Sequence, residues 1–288
     1  MATLKDFRNN VKPNWCPGCG DFSVQAAIQR AAANVGLEPE QLAVVSGIGC
    51  SGRISGYINA YGLHGVHGRA LPIAQGLKMA NRDLTVIAAG GDGDGFAIGM
   101  GHTVHAIRRN INITYIVMDN QIYGLTKGQT SPRSAEGFKT KSTPSGSIES
   151  ALSPLEVALA AGATFVGQSF SSNLKQLTSL IEEGLKHEGF SFINVFSPCV
   201  TFNKVNTYEW FKEHVVDLAD SPDYDPSNRI MAMTKIMETN SMLTGLIYQD
   251  KSKPSYENMV AGFKKEPLVH QDLKLSEEDF NKLVAEFK

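Results

Sequence analysis

Apolar residues along this chain come in short unbroken runs, and the stretches between them carry helical spacing. Leu42 to Ile48, Leu84 to Gly90, Ile111 to Met118, Ala163 to Gly167 and Phe190 to Phe196 are such runs. They are short for helices and too uniformly apolar to keep one face in water, so they predict strands buried on both sides. Helices are predicted between them. Asp21 caps one that runs to about Asn34, with Gly36 as its stop. Pro72 opens another towards Asn81, and Gly95 to Arg109, Leu155 to Ala161 and the amphipathic Asn173 to His187 supply three more. Strand and helix alternate through residue 200. The pattern predicts an α/β fold, a mostly parallel sheet with helices on both faces. After Pro198 it changes. Residues 201–288 hold scattered aromatics and prolines without clear alternation, and read as a C-terminal extension packing on the core or on a partner subunit. Residues 1–200 then form the domain that carries chemistry.

Composition narrows the classes. The chain of 288 residues is 42% hydrophobic and 19% charged, which suits a folded protein with one large core. A net charge of −2 argues against nucleic acid or an anionic membrane as partner. No apolar run approaches the roughly 20 residues that span a bilayer. The polar start, Met1 to Asn10, has no signal-peptide core, so the expected location is cytoplasmic.

The most telling stretch is Gly91-Asp92-Gly93-Asp94, which follows one predicted strand; Asp119-Asn120 closes the next. Glycines at 91 and 93 let backbone N–H groups approach phosphate oxygens, and the helix expected at Gly95 adds its positive end. Magnesium takes one or two protein oxygens plus ligand phosphates. Asp92 and Asn120 supply two oxygens, and a main-chain carbonyl near Ile122 a third. The plain alternative is a Gly-Asp turn without ligand; the flanking strands and the Asp-Asn pair weigh against it.

Four cysteines remain, Cys16, Cys19, Cys50 and Cys199. Disulfides are rare in the cytosol, which leaves core thiols or a metal centre. Cys16-Pro-Gly-Cys19 suits two thiolates on one metal, and Cys50 and Cys199 each follow a predicted strand. Their spacing leaves zinc, a [4Fe–4S] cluster, and two ligands with two core thiols all open. The polar stretch from Tyr123 to Ser147 is long enough to be a functional loop. Its Lys127 reads on composition alone as a solvated charge. His64 and His67 read as loop residues, and His102 and His105, one turn apart on a helix, lack a third ligand.

Taken together, these motifs resemble the thiamine-diphosphate enzymes, and more fully the β subunits of 2-oxoacid:ferredoxin oxidoreductases. The resemblance rests on Trp15-Cys-Pro-Gly-Cys-Gly20, Gly47-Ile-Gly-Cys-Ser51, His67-Gly-Arg69, Gly91-Asp-Gly-Asp-Gly95, Tyr123-Gly-Leu-Thr-Lys-Gly-Gln-Thr-Ser-Pro132 and Ser197-Pro-Cys199. It covers residues 15 to about 200 and little of the tail. It implies a thiamine-diphosphate-binding fold, with Asp92, Asn120 and Ile122 on Mg2+. Gly49, Ser51, His67, Gly91, Gly93, Asp94, Tyr123, Gly124, Leu125 and Thr126 would line the cofactor. It implies a [4Fe–4S] cluster on Cys16, Cys19, Cys50 and Cys199. It implies oxidative decarboxylation of a 2-oxoacid, coenzyme A taking the acyl group and ferredoxin the electrons. An α subunit, or a fused γ–α chain, would supply the glutamate that activates thiamine. His67 and Arg69 become candidates for catalysis. Pyruvate-specific members usually carry glycine where this chain has Lys127, so a lysine there favours 2-oxoglutarate through its second carboxylate. Two other readings compete. A non-oxidative thiamine decarboxylase leaves the cysteines unused, and a zinc-stabilised binding subunit leaves the Gly-Asp-Gly-Asp geometry unused. Pyruvate, or a broad range of 2-oxoacids, remains the alternative substrate.

Overall fold

A computed structural model describes residues 2–260 and 266–287. Among these residues eight strands form one sheet. They are β1 (Leu42–Ser46), β2 (Tyr61–His64), β3 (Thr85–Gly91), β4 (Thr114–Asp119), β5 (Phe165–Phe170), β6 (Ser191–Phe196), β7 (Val216–Asp217) and β8 (Leu243–Gln249). Their order is β2-β1-β3-β4-β6-β5-β8-β7. Every neighbouring pair is parallel except β5 with β8.

The unbroken apolar runs are explained by two cores, one on each face. Leu42 and Val44 of β1 point to one core, and Ala43 and Val45 to the other. The first core is closed by α1 (Asp21–Asn34) and α6 (Leu174–Lys186) through Val24, Ile28, Leu177 and Ile181. The second is closed by α3 (Ala70–Ala80), α4 (Met100–Arg109) and α5 (Pro154–Ala160) through Leu71, Ile107, Leu155 and Leu159. Ile87, Ile116 and Ile193, one on each of three adjacent central strands, are completely buried. Each such side chain contributes about 1.5–3 kcal/mol.

Several local expectations are corrected. Asp21 does not cap α1: Gly20 holds the cap position, and the buried Asp21 carboxylate instead accepts the Ser197 hydroxyl at 2.7 Å. Pro72 is the third residue of α3, not the first. Its missing N–H still costs nothing there, because the first four helical N–H groups have no intrahelical partner. The helix expected from Gly95 begins regularly only at Met100. Before it lies a wide turn, Asp94–Ile98, kinked at Ala97 (ψ −107°). The glycine-rich stretch from Gly47 to Gly68 hides α2 (Gly49–Gly52) and the edge strand β2, whose exposed Tyr-Gly-Leu-His carries no alternation to reveal it. After Pro198 the chain forms α7 (Tyr208–His214), β7, α8 (Arg229–Glu238) and β8, and β8 extends the main sheet beside β5. The segment ends with α9 (Tyr256–Met259) and α10 (Glu277–Ala285).

Candidate functional site

The carboxyl ends of β1, β3 and β4 lie side by side, with Ser46 opposite Ala89 and Gly91 opposite Met118. The loops leaving these ends enclose a cavity of about 560 Å³. Such a position, beyond the carboxyl ends of parallel strands, is where open α/β sheets bind ligands. Gly49, Ser51, His67, Gly91, Asp92, Gly93, Asp94, Asn120, Ile122, Tyr123, Gly124, Leu125 and Thr126 all line it, joined by Cys50. Arg69 and Lys127 do not line it. The Arg69 guanidinium donates to the carbonyls of Gly68 and Ile98, tying its own loop to the turn before α4. Lys127 is exposed, with φ of 77°.

Asp92 lines the cavity, and a second buried acid, Asp119, ends the adjacent strand without reaching the cavity wall. Asp92 is 1% exposed and Asp119 is fully buried. Burial, followed by the charge of Asp119, pushes the Asp92 carboxyl up to about 7. Ser131 donates its hydroxyl to Asp92, and the Arg133 guanidinium pairs with Asp119 at 2.8 Å. Two carboxylates against one guanidinium leave surplus negative charge in a dry place. A divalent cation held by hard oxygens matches that surplus. Asn120 stands at the same edge. Its side-chain oxygen accepts the Ile122 N–H at 3.0 Å and keeps a second lone pair. Ser131 stands in the motif from Tyr123 to Pro132 without an expected role, and Arg133 lies just beyond it, because only the folded loop brings them beneath the strand ends.

Close approach explains two glycines. A Cβ on Gly47 would sit 1.7 Å from the Asp94 carboxylate, and one on Gly93 would sit 2.2 Å from the Tyr123 ring. Asp94 holds this wall together through a single oxygen. One of its oxygens lies 2.8 Å from His67 Nδ1 and accepts N–H groups of Gly68 at 2.8 Å and Ile48 at 3.1 Å. It therefore clamps the two glycine-rich loops and fixes His67 at the wall. Tyr123 donates its hydroxyl to the Gly93 carbonyl at 3.1 Å. Its backbone pairs with Gln129, so residues 124–128 form a closed flap over the cavity.

Two of the thiols lie beside this flap. A Cβ on Gly124 would lie 3.4 Å from Cys199 Sγ and 3.9 Å from Cys50 Sγ. Cys16 and Cys19 are joined by a tight turn, Cys19 N–H to Cys16 carbonyl at 3.0 Å. Burial raises Cys19 far above a free thiol, helped by the charge of Asp21 and by Cys50 and Cys199. Burial likewise pushes Cys50 up to about 11, with Asp21, Cys199 and Cys16 adding to it. Cys19 and Cys50 thus both feel neighbouring thiols, a repulsion that a cationic centre would compensate. All four are free thiols. Among the described residues no group of three or more His, Cys, Asp or Glu side chains is drawn together in a metal-holding geometry.

A second cavity, of about 540 Å³, adjoins the first across Ile48, Gly49 and Leu125. Arg53 and His64 line it, with Ser55 and Tyr57. Arg53 was also missed in the sequence. Its only signal was a lone cation inside a glycine-rich stretch.

Comparisons with known proteins agree with this geometry. Residues 47–195 match the family "Thiamine pyrophosphate enzyme, C-terminal TPP binding domain". Residues 199–265 match the family of the C-terminal part of the pyruvate ferredoxin oxidoreductase beta chain. The chain is 42% identical over 273 residues to a 2-oxoacid:ferredoxin oxidoreductase subunit beta of Saccharolobus solfataricus, covering 91% of this chain and 88% of that one. It is 41% identical over 213 residues to a 2-oxoglutarate synthase subunit KorB of Archaeoglobus fulgidus, covering 73% and 79%. Among solved structures it is similar to a 2-oxoglutarate:ferredoxin oxidoreductase from Magnetococcus marinus with 2-oxoglutarate, coenzyme A and succinyl-CoA bound. The TM-score is 0.91 at 39% identity, over 100% of this chain and 96% of that one. No helix among the described residues is long and apolar enough to cross a membrane.

Proposed function

The chain belongs to the β-subunit family of 2-oxoacid:ferredoxin oxidoreductases, and on that premise we propose that its cavity takes thiamine diphosphate with Mg2+ and serves the oxidation of 2-oxoglutarate. The observation that carries this reading is the 560 Å³ cavity with Asp92 at its floor. Asp92, Asn120 and the Ile122 carbonyl hold the metal, while Gly91 and Gly93 admit the diphosphate. Gly49, Ser51, Tyr123, Gly124, Leu125 and Thr126 wall the cofactor off from water. When bound, thiamine diphosphate supplies the carbanion chemistry that removes carbon dioxide from a 2-oxoacid. His67 is fixed through Nδ1 by Asp94, which leaves Nε2 as the nitrogen that takes or gives a proton at the wall. Arg69 acts at one remove, by holding the loop that carries His67.

Cys16, Cys19, Cys50 and Cys199 are proposed to hold a [4Fe–4S] cluster that provides the electron exit to ferredoxin. The proposal includes coenzyme A as acyl acceptor, an α or fused γ–α partner that completes the thiamine site, and a cytoplasmic location, where such thiols stay reduced. Residues 201–288 are proposed to brace the sheet and meet that partner. The second carboxylate of 2-oxoglutarate would be met by Arg53 in the adjoining cavity, and by Lys127, which lines neither cavity, reaching in from the exposed flap.

The test is the complex prepared without oxygen. Expected are one thiamine released on denaturation, about four irons per chain, and methyl viologen reduction fastest with 2-oxoglutarate. Zinc without iron would end the cluster assignment. Arg53→Gln and Lys127→Gly should each shift preference towards pyruvate; an unchanged ratio in both would end the carboxylate assignment.

A further inference from the structure

The 34 residues between β4 and α5 contain no helix, and one side chain fastens their middle to the sheet (residues 120–153). Arg133 is 7% exposed. Its Nε donates to Asp119 Oδ2 at 2.8 Å, and its Nη1 to the Leu152 carbonyl. The Asp119 end is held from below. Asp119 Oδ2 also accepts the Asn194 amide at 3.2 Å, and Asn194 donates to Gln168 at 2.7 Å. Gln168 in turn donates to the Ser241 and Leu243 carbonyls, both at 2.7 Å. The anchor is therefore a polar ladder reaching across β4, β6 and β5 to β8. Asp119 Oδ1 is buried and has no hydrogen-bond partner among the described residues, so Arg133 is the charge that compensates this carboxylate.

The other side of the turn reaches the cavity floor. Ser134 donates its hydroxyl to the Gln121 carbonyl at 2.7 Å and accepts the Ser131 N–H at 2.9 Å. The Ser131 hydroxyl accepts the Arg133 backbone N–H at 3.2 Å and donates to Asp92 Oδ2 at 2.5 Å. A hydroxyl has one proton. With an N–H occupying one lone pair, that proton is aimed at Asp92.

We propose that Arg133 is a positioning residue for the metal-binding carboxylate: paired with Asp119, it seats the Ser131–Ser134 turn so that the Ser131 hydroxyl sets the rotation of Asp92. This rests on the reading of Asp92 as a Mg2+ ligand. Groups that orient a metal ligand typically change metal affinity by about 10–100-fold when removed. A loop brace with no such role would change stability and leave metal affinity alone.

The test uses the assembled enzyme with thiamine diphosphate and Mn2+ in place of Mg2+, read by electron paramagnetic resonance titration and, separately, by thermal midpoint. Arg133→Met is expected to weaken Mn2+ binding about 10–100-fold, and Arg133→Lys, which keeps the charge, to recover part of it. Ser131→Ala leaves the ion pair intact and is expected to weaken Mn2+ binding in the same direction. If Arg133→Met does not assemble, Ser131→Ala decides. Affinity within about twofold of wild type in Ser131→Ala, or in a folded Arg133→Met, overturns the inference. Wild-type enzyme that binds no Mn2+ overturns the cofactor reading as well, so the two failures are distinguishable.

Discussion

The cavity floor and the cysteine constellation occupy the same end of the sheet, yet they are built differently. Asp92 and Asn120 leave adjacent parallel strands whose register is set by hydrogen bonding, so their separation is fixed before any ion arrives. The four thiols come from an N-terminal turn, a one-turn helix and a loop after β6, and of these only Cys50 and Cys199 flank Gly124. The strand-end pair is preorganised by the framework, whereas three separate segments must converge to form the proposed cluster site. The difference teaches that losing an ion should cost the two sites differently.

The largest test separates them from the thiol side. Cys50→Ser should remove the iron and all electron transfer to ferredoxin, while bound thiamine stays at the wild-type level. If thiamine is lost in parallel, the two sites are one cooperative unit. From the other side, Asp92→Ala removes the proposed metal ligand, a loss of several kcal/mol that should lower methyl viologen reduction about a thousandfold or more. Iron content should not change. A smaller effect is expected from Gly93→Ala, whose Cβ would sit 2.2 Å from the Tyr123 ring. Relieving that overlap costs about 1–3 kcal/mol and must move the flap, so thiamine affinity should fall and the thermal midpoint drop modestly. An unchanged affinity would show that the flap is softer than its hydrogen bonds suggest.

The smallest effect probes the framework shared by both sites. His187 is buried, with Nε2 2.8 Å from the Thr164 hydroxyl, and burial lowers its pKa despite the opposing charges of Asp250 and Glu188; Lys251 reinforces the lowering. A histidine held neutral in the fold binds its proton more readily when unfolded. Stability should therefore be intact above the ordinary histidine pKa of 6.5 and fall as pH drops below it. Thermal midpoints measured at pH 7.5 and 5.5 should differ less in His187→Gln than in wild type.

Much of this architecture was legible in the chain. The apolar runs located β1, β3, β4, β5 and β6 within a few residues, because strands buried on both faces leave no polar position to confuse the period. Elements outside that condition were not legible. β2 is an exposed edge with no apolar face, and β8 lies in a segment whose aromatics do not alternate regularly. The wide turn at Asp94–Ile98 was read as helix, since its residues differ little from a helix start; the Asp94 clamp on His67, Gly68 and Ile48 accompanies the departure.

The sequence alone determined the parallel α/β class, the Gly-Asp-Gly-Asp and Asp-Asn pair at neighbouring strand ends, and the presence of four thiols, because each is a local pattern or a count. Only the tertiary structure decided that Arg133 and Ser131 reach beneath Asp92, that Arg53 faces a second cavity, and that Arg69 ties a loop instead of lining the pocket. Those facts depend on which distant segments share a buried volume. Charge compensation and hydrogen-bond satisfaction settle that among side chains far apart in the chain, where no periodicity along the chain records it.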